Sequence, residues 1–346
     1  MNAERFAAIT ERFAGLHIGV AGDYCLDRYL EIDPARSETS LETGLPVHNV
    51  VRVRAQPGGA GTIVNNLVAL GVGRIELVGF CGDDGEGYEL RRALAALAGV
   101  ELEHFITTPH RRTFVYCKPL VLEPRRPPRE LNRLDSKNWT PTPLELQRDL
   151  ADRVREVTGR VDALVLLDQV DFAETGVVTP PVCEAARAAL IERNGLLVLA
   201  DSRRGLQSYP PLGFKMNATE LGRFSSTEAN SAGTDLDTVR RLAATLAEQT
   251  GQPVFVTLAE RGIVGAAKGH PAEHIPALPL RGPIDVVGAG DAVTATLAAS
   301  LSAGAQLHEA MELAMSAASL VVHQLGTTGV ATVAAMARLN RNESGA

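Results

Sequence analysis

Several familiar signatures are missing from this chain of 346 residues, and each absence narrows what it can do. Its four cysteines, Cys25, Cys81, Cys117 and Cys183, lie far apart with no Cys-x-x-Cys pair, so neither a disulfide framework nor a zinc site is indicated. Reduced, buried thiols are expected instead. No block of Lys and Arg offsets a net charge of −7, which argues against a nucleic-acid partner. No apolar run reaches the length that spans a bilayer, and residues 1–15, with Glu4, Arg5, Glu11 and Arg12, read as an amphipathic helix rather than a signal peptide. No membrane partner is expected, and the chain reads as cytoplasmic. The first apolar strand ends in Gly22-Asp23-Tyr24 rather than Gly-x-Gly-x-x-Gly, which speaks against a dehydrogenase, and no Gly-Lys-Ser or Gly-Lys-Thr phosphate loop follows. With 45% hydrophobic and 22% charged residues, the chain has the balance of a globular protein with a sizeable core. Its partner should be a small molecule.

What the chain does contain is a recurring grammar. Apolar runs at Leu16 to Ala21, Ile75 to Phe80, Ala163 to Leu167, Leu196 to Ala200 and Val254 to Leu258 read as buried strands, and four of them run into acid-bearing loops. Helical segments are expected between them, at Ala60 to Leu70, Glu86 to Leu97, Pro143 to Val157, Pro180 to Arg193, Leu236 to Gln249, Asp291 to Ala303 and Leu307 to Leu325. One more helix follows Val330, with Asn340 to Ala346 frayed. The alternation predicts an α/β fold, a doubly wound and mainly parallel sheet flanked by helices. Although the length allows two domains, residues 1–346 read as one, with lid segments at about 28–55 and 111–135. Those segments break the rhythm, since Val50-Val51-Arg52-Val53-Arg54 and Thr113 to Leu122 alternate as half-exposed strands do. They predict a small antiparallel β-flap over the C-terminal edge of the sheet, with Arg125 to Arg129 as an exposed, mobile turn. Such a flap would exclude water from a reaction beneath it.

The chemistry concentrates at Ile284-Asp285-Val286-Val287-Gly288-Ala289-Gly290-Asp291, followed by the small apolar run Ala292 to Ser300. Two glycines let backbone amides turn inward at the start of a buried helix, and a helix N-terminus attracts anions. A carboxylate at Asp291 would repel a phosphate, yet it stands where a hydroxyl attacking phosphorus must lose its proton, so Asp291 is the candidate general base. Taken alone, the same residues also describe an ordinary strand-to-helix turn. Gly58-Gly59-Ala60-Gly61 lets backbone approach a ligand, or simply opens a helix. Asn217-Ala218-Thr219-Glu220 puts an amide and a carboxylate on one helical face, suited to a water-shelled Mg²⁺ and a phosphate, or to a helix cap. Lys215 reads as solvated charge.

Jointly, Gly22-Asp23-Tyr24-Cys25-Leu26-Asp27-Arg28-Tyr29, Pro57 through Gly71, Asn132-Arg133-Leu134-Asp135 and Asp291 to Ala299 resemble the ribokinase-like, or phosphofructokinase B, family of carbohydrate kinases, and within it the bacterial heptose 7-phosphate kinases. The resemblance implies a ribokinase-like fold and ATP-dependent transfer to a sugar or sugar phosphate. It makes Asp291 the base and the amides of Gly288, Ala289 and Gly290 an anion hole. It puts Asp27, Gly58, Gly59 and Thr62 at the sugar, Asn217, Glu220, Thr257 and Gly262 at ATP, and Glu220 at Mg²⁺. It further implies a monovalent cation such as K⁺ near Asp285, and a homodimer joined through the flap.

The sequence departs from the family in two places. Thr62 replaces a usual Asn that contacts the sugar, and Ala259 replaces a usual Gly beside the nucleotide. Both leave room for a kinase acting on another sugar or nucleoside, or for a non-catalytic ligand-binding protein on the same scaffold. The nucleotidyltransferase domain often fused to heptose kinases is not expected after the kinase motif. Arg28, Arg36, Arg112, Lys118 and Arg133 could hold a phosphate already on the sugar, or be surface charges.

Overall fold

The computed structural model describes residues 1–224, 235–326 and 328–344. Its strands, in chain order, are β1 (His17–Gly22), β2 (Tyr24–Ile32), β3 (Glu38–Thr39), β4 (Pro46–Val47), β5 (Val50–Gly59), β6 (Arg74–Gly82), β7 (Val100–Glu101), β8 (Phe105–Thr108), β9 (Phe114–Val121), β10 (Arg129–Glu130), β11 (Leu134–Ser136), β12 (Ala163–Asp168), β13 (Leu197–Ser202), β14 (Gly213–Asn217), β15 (Val254–Thr257), β16 (Ile263–Ala266) and β17 (Glu273–Ile275). The α-helices are α1 (Ala3–Thr10), α2 (Ala60–Leu70), α3 (Gly85–Ala95), α4 (Leu144–Thr158), α5 (Pro180–Glu192), α6 (Ala218–Gly222), α7 (Leu236–Thr250), α8 (Ala289–Ser302), α9 (Leu307–Val322) and α10 (Val333–Ser344).

Ten strands form one sheet in the order β17-β16-β15-β14-β13-β12-β1-β6-β7, with β8 also on β6. From β15 across to β7 every pairing is parallel, and only the β16 and β17 edge is antiparallel. Parallel strands covered on both faces have no polar side to show, which is why Ala163–Asp168 is buried at all six positions. One face packs on α1, α2, α8, α9 and α10 and the other on α4, α5 and α7, so the sheet is doubly wound as expected. The helix α10 continues through Asn340 to Ser344 rather than fraying there; Gly345 and Ala346 lie outside the described residues.

The lid corrects one expectation. It is a sheet of order β10-β9-β2-β5 with β11 also on β9, and it is mixed rather than antiparallel. The β2–β5 pair is antiparallel from Tyr24↔Gly59 to Ile32↔Val50, whereas β2 and β9 run parallel from Cys25↔Phe114 to Ile32↔Val121. Both β2 and β9 leave the central sheet in the same direction, so they can only pair in parallel. The lid is also wider than residues 28–55 and 111–135, since β2 begins at Tyr24, β5 ends at Gly59 and β11 ends at Ser136. Arg125 takes a φ of +63° in the turn between β9 and β10.

Candidate active site

The Gly288 to Asp291 turn opens α8 at the C-terminal edge of the sheet. Gly288 is the N-cap at φ +83°, a left-handed position, and a Cβ there would come within 2.6 Å of the Thr328 methyl. Its carbonyl accepts from Ala292 N–H at 3.0 Å, which starts the helix. Behind the turn, Ala292 to Ser300 is buried without interruption, because small side chains let α2 and α9 pack closely on α8. Of the three amides expected to form an anion hole, Ala289 N–H is already bonded to Val286 O at 3.3 Å. The Gly290 amide, in the first turn, has no intrahelical acceptor.

Asp291 sits half-buried on this turn. Burial pushes its carboxyl up to about 7, the Asp201 carboxylate adds to the rise, and the Lys215 ammonium opposes it. Lys215 is not solvated charge: it is buried on β14, and its Nζ donates to Asp201 Oδ2 on β13 at 2.8 Å. Thr294 Oγ1 on α8 donates to the same oxygen at 3.2 Å. A Cβ on Gly290 would lie 3.0 Å from Lys215 Nζ, so the ammonium stands against the backbone of the Gly288 to Asp291 turn. Burial alone would lower the Lys215 pKa, but Asp201, with Asp291 and Glu220 adding, leaves it raised. The ammonium stays charged beside the helix N-terminus, and sequence reasoning missed it. The one available signal was its place two residues before Asn217.

Asp27, expected at the sugar, lies in strand β2 of the lid, not in a loop, and it is buried. Burial pushes its carboxyl up, against the pull of Lys118, whose Nζ is 3.8 Å from Asp27 Oδ1, and of Arg133. A Cβ on Gly58 would meet Asp27 Oδ2 at 2.6 Å, which explains glycine there, while Gly59 turns the chain into α2 at φ +58°. Thr62 is buried in the first turn of α2, and its methyl lies 3.6 Å from where a Gly288 Cβ would be, joining this region to the start of α8. Tyr116, in register with Asp27, carries Arg133 and Lys137 over its ring at 5.2 and 5.6 Å. Of the other basic candidates, Arg28 pairs with Glu86 and Glu89 of α3 at 3.6 Å each and Arg36 with Asp33 at 3.4 Å. The Arg112 backbone bonds the Asn138 side chain. Asp23 serves structure: its buried carboxylate accepts from the amides of Gln169, Val170 and Val177 at 2.8, 3.3 and 2.6 Å.

Asn217 and Glu220, expected at the nucleotide, form a capping box on α6, with Glu220 N–H donating to Asn217 Oδ1 at 2.9 Å and Asn217 N–H to Glu220 Oε2 at 2.7 Å. Among the described residues the box leaves Glu220 Oε1 and the Asn217 amide nitrogen for a ligand. One protein carboxylate oxygen with waters suits Mg²⁺, which keeps most of its hydration, so this donor set fits. Among the described residues the one cluster of three metal-type side chains is Glu103, His104 and Glu156, and His104 Nε2 there is 2.7 Å from Arg160 Nη2. Thr257 ends β15, and the Gly262 carbonyl closes the following turn by accepting from Leu258 N–H at 2.7 Å. Gly262 has φ +97°, and Ala259 between them takes φ +52°, so it follows the backbone course a glycine would.

The doubly wound sheet, its β lid and the buried helix start between them frame one candidate site. Residues 25–333 match the model of the pfkB family carbohydrate kinases, and the chain belongs to that family. It is 35% identical over 327 residues to the bifunctional protein HldE of Alkalilimnicola ehrlichii, covering 94% of this chain and 63% of that protein. To HldE of Pelobacter propionicus it is 30% identical over 332 residues, covering 96% and 64%. The chain thus spans less than two thirds of the length of these relatives. The fold is similar to ribokinase from Arabidopsis thaliana complexed with ribose and ATP, with a TM-score of 0.66 and 19% identity over 94% of this chain and 98% of that one. It is also similar to phosphofructokinase-2 from Escherichia coli in complex with substrates and products, with a TM-score of 0.69 and 18% identity over 95% and 99%. Among the described residues no helix is long and apolar enough to cross a membrane.

Proposed function

We propose that this ATP-dependent sugar kinase uses Asp291 as its general base on a sugar phosphate, with a heptose 7-phosphate as the first candidate. The observation that carries the reading is a half-buried carboxyl held at about 7, on the first turn of α8, beside a buried ammonium. Asp291 takes the proton of the accepting hydroxyl as its oxygen bonds to the γ-phosphorus, and the bond to the β-phosphate oxygen breaks, releasing ADP. The amides of Gly288 and Gly290, with that of Ala289 once freed from Val286, and the Lys215 ammonium meet the charge on the transferred group. Asp27, Gly58, Gly59 and Thr62 hold the sugar, and Asn217, Glu220, Thr257 and Gly262 hold the nucleotide. Glu220 Oε1 would hold Mg²⁺ through water, and the ion, when bound, offsets phosphate charge. Asp285 Oδ1 accepts from Val287 N–H at 3.0 Å, leaving Oδ2 for a monovalent cation such as K⁺.

An anionic substrate is supported by the cations Lys118, Arg133 and Lys137 along the Asp27 and Tyr116 face of the lid. Comparing a heptose with its 7-phosphate tests it. The phosphate form should win by at least about tenfold in kcat/KM, and Lys118→Met should shrink that margin. Equal rates on both forms would remove the anionic substrate from the account.

A homodimer through the lid is part of the same proposal, on the evidence of Val51 and Val53, left exposed on edge strand β5, and of Leu134 on β11. Light scattering should give twice the chain mass, falling to the single mass in Val51→Lys/Val53→Lys. A monomeric parent protein would contradict it.

A further inference from the structure

Away from the catalytic edge, a cavity of about 520 Å³ opens at the N-terminal ends of the central strands. Its walls are the end of α5, the approaches to β12, β13 and β15, and the last turn of α8. That volume falls within the roughly 300–1,000 Å³ of sites that enclose small organic ligands. Two charged side chains set its chemistry. The Arg193 guanidinium is pinned through Nη1, which donates to the carbonyls of Thr158 at 2.5 Å and Val161 at 2.7 Å. Its other nitrogens make no bond to the described residues. Asp162 follows Val161 directly, and its Oδ2 accepts from His17 N–H at 2.8 Å, leaving Oδ1. Ser302 Oγ, on the α8 wall, is buried with no partner among the described residues. Leu190, Leu197 and Leu301 supply apolar surface beside them.

We propose that this cavity is a second binding site, for a free α-amino acid, and that its occupation is transmitted to the active site through α8. One fixed cation and one anion lining the same cavity, flanked by leucines, match a zwitterion with an apolar side chain: carboxylate to Arg193, ammonium to Asp162, side chain to the leucines. A phosphate or dicarboxylate would meet repulsion from Asp162, and a simple amine would meet it from Arg193. Ser302 and Asp291 sit on one helix about 17 Å apart. The buried stretch between them is packed on both sides, so α8 moves as a body rather than bending. A ligand that fixes the Ser302 end therefore biases the position of Asp291, and this coupling rests on the role proposed for Asp291.

The test uses the full chain with L-leucine and each of the other common L-amino acids as probes, and with acetate and butylamine as half-ligands, read by thermal shift and calorimetry. At least one amino acid should give a saturable rise in Tm that neither half-ligand gives. Asp162→Asn, which keeps an acceptor for His17 N–H, should weaken binding about tenfold or more, and Ser302→Leu, which fills the cavity, should abolish it. Saturation should also change kcat/KM for phosphoryl transfer in the parent protein and leave Ser302→Leu unaffected. No saturable shift with any amino acid up to about 10 mM, or an equal shift in Ser302→Leu, would overturn the site. Binding with unchanged kinetics would overturn the coupling. Because binding is read without turnover, failure of the kinase reading leaves the site itself standing.

Discussion

A carboxyl whose pKa burial raises to near neutrality costs the fold stability once it ionises, and in exchange gives the site a base poised at working pH. For Asp291, at about 7 in the fold and about 4 in an unfolded chain, the folded state binds the extra proton between those values. Its contribution to stability is therefore full below about pH 4 and is lost as pH rises through 7. Asp291→Asn should raise Tm by a few degrees at pH 8 and by nothing at pH 4, as measured by calorimetry. In the parent enzyme kcat/KM should climb about tenfold per pH unit below 7 and level off above it. A flat profile would remove Asp291 from the base role. Lys215→Met should lower kcat by about 10²–10³ with a smaller change in sugar KM, and should also destabilise the fold because Asp201 is left buried without its partner. Lys215 was not legible in the sequence, since nothing local shows that a residue on the neighbouring strand, fourteen positions earlier, takes its charge. Ala259 was legible as a departure but not in its consequence. At φ +52° it keeps the turn a glycine would make, so Ala259→Gly should stabilise by about 1 kcal/mol and tighten ATP binding, checked by thermal shift and nucleotide titration.

At the scale of elements, the parallel strands were legible because burial on both faces leaves a continuous apolar run, as at Ala163–Asp168. The β14 strand was missed because five residues carrying Lys215 and Asn217 show no such run, and β16 and β17 are shorter still. The lid was legible from its alternation, but its parallel β2–β9 pairing was not, because strand direction depends on where distant segments leave the sheet. Asn217 and Glu220 cap α6, and among the described residues the same geometry leaves an oxygen and an amide for the nucleotide proposed there. The start of α8 tolerates little change. Gly288→Ala must hold a side chain at φ +83° and displace the Thr328 methyl, so it should cost about 1–2 kcal/mol and impair transfer, as seen in denaturant melts and turnover.

For the whole molecule, the central strands carry two ends with different chemistry. At their C-terminal edge Lys215, Glu220 and Asp291 face Asp27 on the lid, and their N-terminal edge holds the cavity at Arg193 and Ser302. The helix α8 spans between them. The claim on which the rest depends is that Asp291 deprotonates a sugar hydroxyl for attack on ATP. It is tested most directly by ADP release from Mg·ATP over a panel of sugars and sugar phosphates, heptose 7-phosphate included, run in parallel on the parent protein and Asp291→Asn. The account predicts turnover on a phosphorylated sugar that falls by at least about 10²–10⁴ in the variant while sugar binding is kept. Undiminished turnover in Asp291→Asn would contradict it.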